Sequence, residues 1–420
     1  MAVVKAFQAI RPANPELASV IAALPYDVYN EKEAREYVKE HPRSFLAIDR
    51  AETQFEEGVD SYSAKVYEKA RELLWDAIAK GTYIEEDKPC YYIYRLTMNG
   101  RTQTGIVACA FIDDYLNNII KKHENTREEK ELDRISHVSV CEAQTGPIFL
   151  AYNSNDEINR IVEKNLSNEP IFDFISEDGI KHQGYVISDE KDIEGIALAF
   201  QDMKDIYIAD GHHRCASAVK VGLQKRKENP GFSKEEEFNY FLSVLFPDDQ
   251  LKIMDYNRVV KDLNELSDAE FLSRIEECYD VSLIGKQAQY PAHKGEVTMF
   301  LHGNWYLLKL REAYVSSDCV EGLDVSLLQN YILSPILGIK NPKTDKRIDF
   351  VGGIRGLKEL ERRAETDCEV AFAMYPTSIQ ELFKVADAGL LMPPKSTWFE
   401  PKLRSGLFIH SIKSFETMGV

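Results

Sequence analysis

The stretch IYIADGHHRCASAVK, Ile206–Lys220, constrains the fold more than any other part of the chain. A short apolar run ends in Asp210-Gly211, and small residues then recur at helical spacing. The pattern predicts a strand over 206–209, a turn at Gly211 and a helix over 215–225. Glycine suits that turn because it tolerates backbone angles that a Cβ disfavours. The first N–H groups of a helix lack partners within it and carry partial positive charge, so an anion such as phosphate is stabilised there. His212, His213 and Arg214 add donors at that end, and an arginine can grip two phosphate oxygens at once. Asp210 is the odd member. A carboxylate beside phosphate is repelled unless it holds a cation such as Mg²⁺ or takes a substrate proton. Two readings stand beside the phosphate cradle. Asp210 caps an ordinary helix, or one histidine joins Asp210 and distant ligands such as His123 or Glu124 around a transition metal. Neighbouring helical side chains diverge by about 100°, which makes His212 and His213 poor co-ligands of one ion.

Composition narrows the partners. The 420 residues, 44% hydrophobic, are enough for two or three domains. A formal charge of −18 argues against nucleic acid and anionic membrane as partners. The basic clusters at 120–122 and 224–227 are short and followed closely by acids. None of the seven cysteines forms a C-x-x-C pair, which argues against a zinc ribbon and for reduced core thiols. The start of the sequence lacks a signal-peptide core, and no apolar run approaches membrane-spanning length. A soluble, cytoplasmic protein is expected.

Along the chain, VVKAFQAI reads as a strand, a charged helix starts at about Glu31, and 61–80 reads as an amphipathic helix. A hairpin turns at Asn99-Gly100. IIKKHENTREEKELDRISHV, 119–138, reads as a polar connector. GPIFLAY and FNYFLSVLFP read as strands, and 192–203 as a helix. Beyond 250 the pattern predicts a hairpin at Gly303-Asn304, a helix capped by Asp324, and helices at GLKELERRA and SIQELFKVADAG flanking the strand VAFAMYP. Gly352-Gly353 marks a turn without dinucleotide-binding spacing, and Arg347 with Asp349 reads as an internal ion pair. The expected fold is α+β, a mixed sheet with inserted helices, organised as 1–250 and a C-terminal α+β region 251–420.

The segment IADGHHRCASA resembles the domain-of-unknown-function family 1015. LPYDV (24–28), KHENTREEKELDR (122–134), TGPIFLAY (145–152) and MPPKSTWFEPKLRSGL (392–407) fit the same family in order. Its D-G-H-H-R segment is similar to the nucleotide-binding core of the ParB–sulfiredoxin superfamily, which includes free-serine kinases. Sulfiredoxins carry a reactive cysteine where this chain has His212, so thiol chemistry is not implied. The resemblance implies a kinase moving a phosphoryl group from ADP or ATP, with Mg²⁺, to free L-serine or a related metabolite. In that reading Gly211, His213 and Arg214 bind phosphates, Asp210 and His212 serve catalysis, and Asp210 also meets the metal. Glu124, set near Arg127 and Arg134, is the candidate base, its alternative being a solvated connector. Lys395 and Thr397 suit phosphate contact, and Trp398 could stack on a base; a proline-braced loop is the alternative. Asp27 either orients an active-site group or closes a turn. A non-catalytic nucleotide-binding regulator and a metal-dependent hydrolase are the competing functions. The C-terminal region either closes the site or forms a homodimer.

Overall fold

The computed structural model describes residues 1–126 and 128–413. The chain forms two compact units. The first comprises Met1–Leu251 and the segment that begins at Pro401; the second is Lys252–Glu400. Residues 401–413 therefore lie with the first unit.

The first unit is built on a mixed sheet of strands β1 (Val4–Lys5), β2 (Tyr91–Met98), β3 (Arg101–Phe111), β4 (Ile120–Lys121), β5 (Ile148–Tyr152), β6 (Phe172–Ile175), β7 (Lys181–Ile187), β8 (Ile206–Asp210) and β9 (Tyr240–Pro247). The order is β4-β8-β5-β9-β3-β2-β7-β6, with β1 on β3. β8 runs parallel to β4 and β9 parallel to β5; the other pairs are antiparallel. Asn99 and Gly100 both have positive φ, the two-residue turn whose twist matches the β2–β3 strands. The helices used below are α1 (Glu31–Glu40), α2 (Leu46–Asp49), α3 (Ala64–Ala79), α4 (Glu128–Cys141), α5 (Asp156–Asn165), α6 (Glu190–Gln201) and α7 (His212–Glu228). One sheet face packs Ile93, Ile106, Leu150 and Ile208 against Ile158, Ile161, Phe200, Cys215 and Ala218 of α5, α6 and α7. A second core gathers Ala34, Leu46, Val66, Leu74 and Cys141 from α1–α4.

The second unit is a six-stranded antiparallel sheet in the order 279–285, 304–310, 296–301, 370–374, 256–260, 348–352. Its helix Gly356–Thr366 packs Leu357 and Leu360 against Val259, Trp305 and Ala371.

Several expectations need correction. The polar connector contains helix α4. Its buried face is Glu131, Arg134, His137 and Cys141, helically spaced but mostly polar, so apolar periodicity does not reveal it. α7 begins at His212, not Cys215, because Gly211 takes φ +90 and the helix starts at once. The strand over 3–10 breaks into β1, an isolated bridge from Phe7 to Cys90, and a short piece at Ile10–Pro12. Asp324 does not cap its helix; Leu323 holds that position, and Asp324 Oδ1 accepts from the Gly295 N–H at 2.9 Å. Arg347 pairs with Asp262 and Asp345, while Asp349 pairs with Arg363. All seven cysteines are unpaired, and no helix among the described residues is long and apolar enough to cross a membrane.

α7 approaches the backbone of Phe238 through Gly222. A Cβ there would lie 2.4 Å from the Phe238 carbonyl oxygen and 2.8 Å from Ile112 Cδ1. Alanine is the better helix former by about 1 kcal/mol, yet overpacking costs about 1–3 kcal/mol. Gly222→Ala is expected to lower stability by up to about 2 kcal/mol net in urea unfolding. A stabilised variant would show that this close approach relaxes.

Candidate functional site at the start of helix α7

Asp210 is the last residue of strand β8, and Gly211 turns the chain into α7. Asp210 Oδ1 accepts from the Gly211 N–H at 2.8 Å, and Oδ2 lies 3.0 Å from Lys402 Nζ. Burial favours the neutral acid, but Lys402 and Arg214 outweigh it and hold this carboxyl well below the ordinary range. Arg214 folds back over the turn. A Cβ on Gly211 would lie 3.1 Å from its Nε and Nη2. Its Nη1 donates to the Pro147 carbonyl at 2.6 Å. No side chain caps this end of α7.

The adjacent histidines part company, as helix geometry requires. His212 is buried and sets its ring edge-on to His123, centroids 4.5 Å apart. The His123 N–H points to His212 Nε2 at 3.5 Å, and His123 Nδ1 is buried without a hydrogen-bond partner. This contact brings the 123–124 segment, and so Glu124, to the start of α7. His213 is half-buried, and its carbonyl accepts from Ser217 Oγ at 2.7 Å. Ser217 Oγ also reaches the Glu131 carbonyl at 3.1 Å, and Glu131 pairs with Lys220 and Thr126. These bonds tie α4 to α7.

Further along α4, Arg134 is buried, pairs with Asp133 at 2.9 Å and lies 3.8 Å over the Tyr26 ring. Burial weakens its charge, but Asp133, Tyr26 and Asp49 more than offset that and raise its pKa. Tyr26 and Pro25 belong to the LPYDV segment, in which Tyr26–Val28 forms a single turn of 3₁₀ helix. Tyr26, Arg134, Thr145, Gly146, Arg214 and Ser405 line a small inner cavity beside the α7 turn. Ser405 comes from the returning C-terminal segment, bridged to Ala23.

The residues singled out in the sequence therefore divide. Asp210, Gly211, His212, His213 and Arg214 form the turn, and Glu124 stands close by. Lys395 and Thr397 belong to the second unit. There Lys395 is exposed with φ +62, and its carbonyl accepts from buried Arg258 Nη2 at 3.0 Å. Arg127 lies outside the described residues. Lys402 was not singled out in sequence, although it lies in the same MPPKSTWFEPKLRSGL stretch; a lysine alone gives no sign that it will reach Asp210. Among the described residues no group of three or more His, Cys, Asp or Glu side chains is arranged to hold a metal. Both oxygens of Asp210 are already engaged, by the Gly211 N–H and by Lys402.

The chain belongs to the family described as Protein of unknown function (DUF1015), whose model matches residues 4–326. No curated protein matches it. Among solved structures, a glutamate-to-glutamine mutant of a free serine kinase in complex with AMP is 15% identical, covering 71% of this chain and 92% of its own, with a TM-score of 0.36. A conserved hypothetical protein from Pyrococcus furiosus is 16% identical, covering 74% and 96%, at 0.35. SbnI with a C-terminal truncation, from Staphylococcus aureus, is 10% identical, covering 72% and 87%, at 0.37. Likenesses at these TM-scores leave the chemistry to be read from the chain's own residues.

Burial lowers the pKa of His123 to about 4, of His137 to about 4 with Arg134 adding to the effect, and of His182 to about 3. His212 is held well below its ordinary value, chiefly by burial and then by His123. All four stay neutral in the folded protein while the unfolded chain protonates near 6.5. The unfolded state thus binds more protons between about 6.5 and 4, and stability falls as pH falls through that window. Each histidine contributes on the order of 1.4 kcal/mol per pH unit there. The urea midpoint at pH 5 is expected well below that at pH 7.5, and His182→Asn should flatten the dependence. A midpoint unchanged over this range would show that these rings titrate freely.

Proposed function

We propose that the protein is a nucleotide-dependent phosphotransferase of the ParB–sulfiredoxin-like kind. It moves a phosphoryl group from ADP or ATP to the hydroxyl of free L-serine or a related small metabolite, in the cytoplasm. The observation that carries this reading is the α7 turn: an uncapped helix start behind a left-handed glycine, with Arg214 folded over it beside a cavity. Helix N–H groups and a guanidinium together favour phosphate oxygens. Phosphoryl transfer asks a protein mainly for such positioning and charge. Gly211 makes room for the Arg214 guanidinium at the turn, Arg214 and His213 supply donors, and buried His212 braces the 123–124 segment rather than giving a charge. Asp210 holds Lys402 at the turn. Asp210 is the residue that would meet a Mg²⁺ bound with the nucleotide, and the ion would neutralise phosphate charge. The resemblance implies a carboxylate base, and Glu124, which follows His123 in the chain, is one candidate for it. A homodimer remains part of the proposal.

A second reading, nucleotide binding without transfer, draws on the same turn and on the engaged oxygens of Asp210. The two separate in one assay, with ADP or ATP, Mg²⁺ and a panel of hydroxy amino acids followed by ³¹P NMR. Phosphorylated product supports transfer; saturable nucleotide binding with no product from any acceptor leaves only the binding reading. Arg214→Ala is expected to weaken nucleotide binding by about 100-fold in calorimetry, the loss of a bidentate charged contact worth about 3 kcal/mol. Unchanged affinity would rule out the cradle under either reading.

A further inference from the structure

Asp49 ends helix α2, where all of Leu46–Asp49 is buried. Its side chain is 3% exposed. Oδ1 accepts from Thr145 Oγ1 at 2.9 Å and lies 4.0 Å from His137 Nε2. The carboxylate also faces a second space. Tyr26, Asp49, Arg134 and His137 line both the inner cavity beside Arg214 and an outer cleft that extends past Asp27, Tyr62 and Asp133. The Tyr26–Arg134 stack and Asp49 are thus shared by the walls of the two.

Asp49 is also joined to the α7 turn through three consecutive residues. Thr145 donates to Asp49; Gly146 follows; the Pro147 carbonyl accepts from Arg214. Gly146 keeps the space between them open. A Cβ there would lie 3.2 Å from Ser405 Oγ and 3.7 Å from Arg214 Nη1. A carboxylate and a guanidinium therefore face one small cavity from opposite ends of a short segment. Glu124 is not among the residues around either space.

We propose that Asp49 is the catalytic base of the transfer. The proposal rests on the phosphotransferase reading above. The acceptor enters through the outer cleft and brings its hydroxyl to Asp49, while Arg214 holds the phosphoryl group from the inner side. A bond forms between the acceptor oxygen and the terminal phosphorus of the nucleotide. The bond from that phosphorus to the bridging oxygen breaks, and its electron pair leaves with AMP from ADP, or with ADP from ATP. The hydroxyl proton passes to the Asp49 carboxylate and then to water in the outer cleft. No electrons change hands, and the nucleotide supplies the only other reactant.

The test is Asp49→Asn and Asp49→Glu in the full chain, with nucleotide affinity by calorimetry and phosphorylated product by ³¹P NMR. Asparagine keeps an acceptor for Thr145 and removes the base. Asp49→Asn is expected to lower kcat at least about 100-fold, the usual scale for losing a positioned base, with nucleotide Kd within about threefold of the parent. Asp49→Glu is expected to recover at least about tenfold over the asparagine variant. Transfer by Asp49→Asn at near the parental rate would overturn the proposal and leave the phosphotransferase reading standing. Loss of nucleotide binding in both variants would overturn it by showing Asp49 to be structural. If the parent protein itself forms no product with any acceptor, the phosphotransferase reading fails and the role of Asp49 fails with it.

Discussion

The contact on which this unit turns is the Arg214 guanidinium lying over Gly211. Gly211 must take a positive φ to end β8 and start α7 without a connecting loop, and its missing Cβ leaves the space the guanidinium fills. A side chain there would be opposed twice, by backbone conformation and by collision. The same guanidinium donates to Pro147, which leads into β5, the sheet neighbour of β8. One charged side chain thus fixes the helix start, the approach to the neighbouring strand and the wall of the inner cavity. An arginine suits this because its planar fork can bond a carbonyl with one nitrogen and leave others for a ligand.

Around that contact the packing is polar where a core is normally apolar. α4 buries Glu131, Arg134 and His137 against α7, α2 and the Tyr26 turn. Buried polar groups cost free energy unless they are paired, and here most are: Glu131 with Lys220, Arg134 with Asp133, Asp49 with Thr145. His123 Nδ1 is left without a partner beside the α7 turn. An apolar helix of the same volume would hold these elements together at lower desolvation cost. The polar face is consistent with a surface kept for a polar ligand.

The parts of the fold legible in the sequence are those whose cause is local. Asn99-Gly100 declares its turn, α3 its apolar stripe, and β8–Gly211–α7 its change of period from two to nearly four. α4 was illegible because a hydrophobic pattern reports only apolar burial, and its inward residues are mostly polar. The site was half legible for the same reason. The residues of the turn are consecutive and could be read together. Asp49 gains its meaning from Thr145, 96 residues away, and Lys402 from Asp210, 192 residues away. Neither pairing leaves a mark on the residues next to it in the chain.

The order in which the site's parts occur also bears on how it is made. Pro25, Tyr26 and Asp49 come early, Arg134 and Thr145 in the middle, Arg214 later, and Lys402 and Ser405 only after the whole of residues 252–400. The returning segment is anchored by backbone as well as side chains: Ser405 bridges Ala23, Ile409 bridges Ile10, and His410–Ser411 pair with Ala143–Gln144. Arg404 adds an ion pair to Asp178. Each of these bonds closes a loop of well over a hundred residues, whose entropic cost grows only slowly with length. The second unit can therefore sit within the sequence of the first at modest thermodynamic expense. The consequence is kinetic: neither the Asp210–Lys402 pair nor the Ser405 wall of the inner cavity exists until the C-terminal segment has docked.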